Sequence, residues 1–402
     1  MKYDFDRIAT PRGIGSVKWE HRKGENGLEA WDATEEKNGR RQVLPMWVAD
    51  MDFAIAEPIR RALAARANIP SLGYTYRTDA YLSAVTGWMR RRHGWTVEPD
   101  WIAMAPGVVP SLNMLVRTFT QPGDGVILQP PVYHPFYMVI DNNDARVVRN
   151  PLRLVDGRYE MDFDDLEAKA ADPAVKMLLL CSPHNPVGRV WSEAELSRLG
   201  EICNRHEVLV VADELHADLM LYGSVFQPYA ALGQAFADNT VVCSAASKTF
   251  SLAGMHTANI ITPNPALREQ VAAGLRKAAM FGSNPFGAAA VQAAYDEGED
   301  WLEQALAYIQ GNVDFMAEFL AEHLPQIRLI KPQATYLVWL DCRALGLDQA
   351  QLEDLTLNKA GLYLDEGYIF GEEGAGFERI NVACPRAILA DAMHRLANAV
   401  GP

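Results

Sequence analysis

The chain has 402 residues, 49% hydrophobic and 22% charged, with a formal net charge of −14. This is an ordinary balance for a globular protein large enough for more than one domain, and the acidic excess argues against nucleic acid as a partner, since phosphate binding needs concentrated Lys and Arg. No apolar run approaches the roughly 20 residues of a membrane-spanning helix, so no membrane role is expected.

The first 40 or so residues are polar and turn-rich, with Pro11, Gly13, Gly15, Gly24, Gly27 and Gly39, and with Trp19 and Trp31 as isolated anchors. They read as an arm lying on the rest of the protein. Met1-Lys2-Tyr3-Asp4 carries charge where a secretory leader needs an apolar stretch, so a cytoplasmic location is expected. The five cysteines, Cys181, Cys203, Cys243, Cys342 and Cys384, are scattered without a CxxC, as free thiols of a reducing compartment are.

Leu44–Ala49 is expected as a short strand running into Asp50-Met51-Asp52-Phe53, followed by a helix starting near Pro58. Gly73-Tyr74-Thr75-Tyr76 is a loop before an amphipathic helix over Tyr81–Arg92, whose basic end Arg90-Arg91-Arg92-His93 reads as a solvated last turn. From Ile102 onward, short apolar runs alternate with helical stretches: Ile102–Ala105, Gly125–Leu128, Lys176–Cys181, Glu207–Ala212 and Asn239–Cys243. That alternation predicts a mostly parallel sheet with helices on both faces, an α/β architecture. Ser192-Glu193-Ala194-Glu195 is a capping box opening one of the helices. Beyond Gly282 a long helical stretch from Pro285 to His323, broken near Gly298, leads to strands at Ala334–Leu340 and Phe377–Val382 and a last helix to Val400. The expected division is an arm over 1–45, a large domain over 46–282, and a linking helix with a small α+β domain over 283–402.

Four strand ends deliver distinctive groups to one side of the sheet: Tyr133, Asn185, Asp213 and Lys248. Each has an ordinary reading. Asn185-Pro186 initiates turns, Asp213 could cap a helix, Tyr133 could pack in the core, and Lys248 could reach water. Together they supply what pyridoxal phosphate needs: a lysine for the Schiff base, a carboxylate for the pyridine nitrogen, and an aromatic ring to stack. Gly107-Val108-Val109-Pro110-Ser111 adds a glycine turn entering a helix N-terminus, suited to a phosphate. No P-loop or dinucleotide fingerprint stands in the required strand–helix setting, and no Cys/His cluster has metal spacing; His184, His206 and His216 read as a loop, a surface and a site residue.

With these residues on the page, the chain resembles the fold-type I pyridoxal-phosphate enzymes of the class I/II aminotransferase superfamily. More narrowly it resembles the MalY/PatB group of cystathionine β-lyases. The resemblance covers nearly the whole chain. Its marks are Leu44–Phe53 (LPMWVADMDF), Gly73-Tyr74-Thr75, Ser182–Gly188 (SPHNPVG), Asp213–His216 (DELH), Ser247–Phe250 (SKTF) with Ala253-Gly254, and Phe377–Asn381 (FERIN) with Ala383–Arg386 (ACPR). It implies that Lys248 carries the cofactor, Asp213 pairs with the pyridine nitrogen, Asn185 bonds the phenolic oxygen and Tyr133 stacks on the ring. It further implies that the amides of Val108 and Val109, with Ser247, hold the phosphate, and that Tyr74 reaches the phosphate of a neighbouring subunit in a homodimer with shared sites. Arg379 would clamp the substrate carboxylate, with Asp50 and Trp47 nearby in the substrate pocket.

Two positions depart from the aminotransferase pattern. The arginine usual eight residues after the lysine is His256, either a neutral donor or a packed residue. The tyrosine usual three residues after the aspartate is His216, which either touches the cofactor or braces the loop. The activity implied is β-elimination of a sulfur-containing L-amino acid, L-cystathionine or a cysteine S-conjugate, to pyruvate, ammonia and a thiol. An aminotransferase shares every step up to the carbanion. A catalytically silent binding protein is the remaining alternative, and the retained lysine, aspartate, asparagine and arginine count against it.

Overall fold

In the computed structural model, which describes residues 2–8, 11, 13–24, 27–33, 36–37, 40–41 and 43–401, the apolar runs of the middle of the chain lie side by side in one seven-stranded sheet. Met1 and Gly39 lie outside the described residues. Two helices precede the sheet, α1 (Glu57–Ala67) and α2 (Asp79–His93). There follow β1 (Ile102–Ala105), α3 (Val108–Phe119), β2 (Gly125–Leu128), α4 (Pro135–Asp141), β3 (Arg146–Arg149), β4 (Val175–Cys181) and α5 (Glu193–Arg205). The sheet is completed by β5 (Leu209–Asp213), β6 (Thr240–Ser244) and β7 (Ala258–Ile261), and α6 (Pro265–Lys277) closes this part. The order across the sheet is β1-β7-β6-β5-β4-β2-β3, and β7 alone runs antiparallel to its neighbours.

Side-chain parity explains why the central strands read as unbroken apolar runs. Leu178 and Leu180 of β4, with Val210 and Ala212 of β5, enter one core with Trp88 of α2 and Leu196 and Leu199 of α5. Met177, Leu179 and Cys181, with Val211 of β5, enter a second core on the opposite face with Leu112 of α3, Phe136 of α4 and Val271 of α6. A strand covered on both faces has no polar side to display, which is the pattern of a parallel α/β sheet. All five cysteines are free and buried.

After the sheet come α7 (Pro285–Glu297) and α8 (Glu299–His323), then an antiparallel sheet of β8 (Arg328–Ile330), β9 (Leu337–Asp341), β10 (Asp365–Glu366) and β11 (Phe377–Asn381) in the order β8-β9-β11-β10, and last α9 (Arg386–Val400). The break between α7 and α8 falls at Gly298, where an added Cβ would lie 2.4 Å from the Ala294 carbonyl oxygen and 2.7 Å from the Phe250 ring. Gly298→Ala is expected to destabilise the fold by about 1–3 kcal/mol through overpacking, read as a lower denaturant midpoint at unchanged m-value.

Two expectations are corrected. The strand over Leu44–Ala49 stops at Pro45, paired with Leu362–Tyr363. Beyond it the backbone acceptors go to side chains instead: Arg379 donates to the Trp47 carbonyl, Asn381 to those of Val48 and Asp50, and Lys248 and Tyr336 to that of Ala49. A segment whose carbonyls are taken this way cannot also form a ladder. The basic end of α2 is not simply solvated. Arg91 and Arg92 pair with Glu299 and Glu303 of α8, and His93 is buried against Asp218 at 2.8 Å. Among the described residues no helix is long and apolar enough to cross a membrane.

Candidate active site

The carboxyl ends of β4, β5 and β6 meet at one point of the sheet. Asp213 closes β5 in register with Cys181 on one side and Cys243 on the other. Chain continuing from β4 brings Asn185, chain continuing from β6 brings Lys248, and the turn after β2 brings Tyr133, whose amide donates to the Asn185 carbonyl at 3.1 Å. Arg379 arrives from the other sheet, on β11. A cavity of about 190 Å³ is lined by Tyr133, Asn185, Asp213, His216, Lys248 and Arg379, together with Lys23, Trp47, Val48, Ala49, His134, Cys181, Leu215 and Asp365. Side chains separated by more than 200 positions in sequence thus share one enclosure, outside strand ends of an open α/β sheet, where such folds bind ligands.

Lys248 is half-buried, and its Nζ donates to the Ala49 carbonyl at 3.0 Å. Burial lowers its pKa; the Arg379 charge pushes the same way, and Asp50 and Asp213 oppose it. Its neighbour Thr249 donates to Asp218 at 2.7 Å, and Asp218 also accepts from Trp88 at 3.0 Å, so the residue after the lysine is held from behind. Ser251 accepts from the Met51 amide at 3.0 Å and ties the lysine segment to the Trp47–Asp52 segment.

Asp213 is 5% exposed. Its Oδ1 accepts from the Leu215 amide at 3.1 Å, yet burial pushes its pKa up to about 7 against the lowering effects of that bond and of Lys248. A buried carboxylate this far above its ordinary range lacks a cation to hold it ionised. His216 is buried with Nδ1 unpartnered, and burial together with the Lys248 and Arg379 charges lowers its pKa to about 3, so its ring is neutral. Tyr133 is pushed up to about 12 by burial and stays a neutral phenol.

The Arg379 guanidinium is nearly saturated. One terminal nitrogen, Nη1, donates to Asn185 Oδ1 at 3.0 Å; the other, Nη2, donates to the Trp47 carbonyl at 3.0 Å and to Asp365. Its Nε is buried and unpartnered, and Phe370 lies under the guanidinium with its ring centre 4.9 Å away.

The remaining expected residues lie elsewhere. Val108 and Val109 open α3, whose N-terminus has no side-chain cap, after Gly107 at φ 141°, a conformation L side chains rarely adopt. Neither valine nor Ser247 lines the cavity, and Asp50 acts on Lys248 only through its charge. Tyr74 and His256 line a different cavity of about 610 Å³, with Leu72, Pro106, Phe281 and Asn284. Tyr74 is fully exposed and His256 is exposed as well, so the packed reading of His256 does not hold. His184 is buried, its Nε2 3.2 Å from the Gln129 carbonyl, and His206 pairs with Glu167. Sequence reasoning missed Lys23, His134 and Asp365. Lys23 stood in a polar arm and Asp365 in a short strand, and no spacing in sequence links either to Arg379.

Residues 48–396 match the family aminotransferase class I and II. The chain is 45% identical to cystathionine beta-lyase PatB of Bacillus subtilis (strain 168), over 99% of this chain and 100% of the relative. It is 32% identical to protein MalY of Escherichia coli (strain K12), over 99% of each. Among solved structures it is similar to cystalysin from Treponema denticola, whose crystal contains pyridoxal 5'-phosphate, with a TM-score of 0.93 and 37% identity over 99% of both chains. On the extent of these matches, the chain belongs to the aminotransferase class I and II family and, within it, to the group of PatB and MalY.

Proposed function

We propose that this chain is a pyridoxal-phosphate-dependent carbon–sulfur β-lyase that converts L-cystathionine or a cysteine S-conjugate to pyruvate, ammonia and a thiol. The observation that carries the reading is Asp213, a buried carboxylate without a full cationic partner, in one cavity with the lysine Lys248, whose pKa desolvation lowers. The residues fit the cofactor. A protonated pyridine nitrogen would give Asp213 its missing partner, desolvation at the cavity lowers the pKa of the Lys248 amine, and the uncapped amides of Val108 and Val109 suit a phosphate.

When bound, pyridoxal phosphate supplies an electron sink that acidifies the α-proton of an attached amino acid. Asp213 holds a proton on the ring nitrogen and so keeps that sink effective. Lys248 Nζ, neutral once its proton is shed in the buried site, takes the α-proton. Arg379 binds the substrate carboxylate through its planar fork, and Asn185 fixes the fork's orientation. Tyr133 would stack on the ring and, remaining a neutral phenol, add no charge. With the α-proton gone, the Cβ–S bond breaks, the thiolate leaves, and hydration of the three-carbon fragment gives pyruvate and ammonia.

A homodimer is part of the proposal. Leu72, Tyr74 and Phe281 are exposed apolar residues lining the 610 Å³ cavity, a patch that a second copy would cover. The division into 1–45, 46–282 and 283–402 goes with it, and five buried free thiols support the cytoplasm as the compartment. In the test, the holoprotein is given L-cystathionine without any keto acid. Pyruvate and homocysteine in equal amounts are expected. A cofactor absorbance change to the aminated form without pyruvate would instead make the chain an aminotransferase.

A further inference from the structure

The guanidinium expected to clamp the substrate carboxylate already holds a carboxylate. Asp365 on β10 lies directly opposite Arg379 on β11, so the two side chains share one face of the sheet as nearest neighbours. They form an ion pair in which both partners are almost fully buried. A guanidinium offers a carboxylate two bidentate forks, one from Nε with Nη2 and one from Nη1 with Nη2. Both forks use Nη2, the nitrogen whose two hydrogens go to Asp365 and to the Trp47 carbonyl. The free donors, Nε–H and one hydrogen on Nη1, sit on opposite edges and cannot grip one carboxylate together. A substrate carboxylate can enter a fork only by displacing one of these two acceptors, and of the two Asp365 is a side chain that can swing aside, whereas the Trp47 carbonyl is fixed in the backbone.

A second cation stands ready to receive Asp365. Lys23 of the N-terminal arm places Nζ 2.6 Å from Asp365 Oδ1, while Arg379 uses Oδ2. Lys23 is partly exposed at the cavity rim, with the Trp47 ring centre 5.4 Å from its ammonium. The other charged groups facing this pair are Glu366, 3.9 Å from Lys23, and His134, which packs on Phe370 and whose burial keeps its ring neutral.

The geometry points to Asp365 as an internal competitor for the substrate carboxylate, and to Lys23 as the residue that holds Asp365 once it is displaced. The inference rests on the reading of Arg379 as the substrate clamp. Asp365 keeps Arg379 compensated when no substrate is bound, because an isolated buried guanidinium is costly. Substrate entry exchanges one carboxylate for another at Arg379, and Asp365 remains paired through Lys23. The arm is thereby linked to substrate affinity, and both residues are positioning residues that act through Arg379.

The test uses the holoenzyme and L-alanine, which carries an α-carboxylate but no β-leaving group, with binding followed by cofactor absorbance. Asp365→Asn is expected to tighten L-alanine binding at least about fivefold, because the competing charge is gone. Lys23→Met, at a partly exposed site, is expected to weaken binding by a similar factor, and Lys23→Arg to restore it. In the Asp365→Asn background, Lys23→Met should have little effect, since there is no charge left to hold. With L-cystathionine these changes should appear in KM, with kcat nearly constant. Weaker L-alanine binding in Asp365→Asn would overturn the inference and make Asp365 a brace for Arg379. A Lys23→Met effect that persists in the Asp365→Asn background would overturn the role of Lys23. L-Alanine binding without pyruvate from any thioether would defeat the lyase reading and leave the competition intact; no response to any amino acid would defeat both.

Discussion

Lys248→Ala is expected to lower pyruvate formation by at least about a thousandfold while leaving the fold in place. The structural cost of the change is small. The Nζ of Lys248 makes one hydrogen bond, to the Ala49 carbonyl, and that carbonyl also accepts from Tyr336 at 2.9 Å, so no acceptor is orphaned. The segment itself stays anchored by Thr249 on Asp218 and by Phe250 in the core. The chemical cost is large, because in the proposed mechanism one amine both carries the cofactor and moves the α-proton, and no neighbour replaces it: Lys23, the other amine lining the cavity, is held at its rim by Asp365. His216 is a neutral imidazole of low basicity in this setting, and Arg379 cannot give up a proton. Lys248→Arg should be as inactive as Lys248→Ala for that last reason, although it keeps the charge. The measurements are pyruvate release and the far-UV spectrum of each variant. Turnover within tenfold of the parent, in a folded variant, would remove Lys248 from the mechanism.

Much of this was legible in the sequence, and for identifiable reasons. Strands buried on both faces must be apolar throughout, so β4, β5 and β6 announced themselves, and the polar residues just beyond them, Asn185, Asp213 and Lys248, stood out against that background. β3 and β7 were harder to read. The first, at the sheet edge, has only two valines, bracketed by Arg146 and Arg149, and the second is four residues long with a buried Asn259 that accepts from Tyr81. What sequence could not show was pairing across distance. Arg379 was singled out as a carboxylate binder through the family resemblance. That its fork is shared with Asp365, and Asp365 with Lys23, depends on the register of β10 against β11 and on where the arm comes to rest. The Trp47–Asp50 segment shows the same limit: its composition suits a strand, but its carbonyls are taken by four side chains from three other parts of the chain. One-dimensional patterning reports how a residue faces its own element, and a site made by several elements lies outside that signal.

Asp213→Asn should lower kcat by about a hundred- to a thousandfold and should also change how stability depends on pH. The first effect follows from charge. An amide can hydrogen-bond the pyridine nitrogen but cannot hold it protonated, so the electron sink weakens where negative charge develops. The second can be measured without the cofactor. An unfolded aspartate loses its proton near pH 4, whereas burial keeps the proton on Asp213 up to about 7. Between those values the folded state binds the proton and the unfolded state does not, so stability falls as pH rises through that window. Glu214, pushed up to about 8 by burial, adds a decline of the same sign. It is present in both proteins, and because the Asp213 charge contributes to its rise, the variant loses part of that decline too, which adds to the difference with the same sign. The cofactor-free parent should therefore lose stability from pH 4 to 7 more steeply than Asp213→Asn, followed as denaturant midpoints. Adding pyridoxal phosphate should flatten the parent's curve, because the cation it brings removes the reason for Asp213 to stay protonated. Parallel curves for parent and variant would mean that Asp213 is ionised in the fold without help, and the carboxylate would then lose its claim to be waiting for a cation.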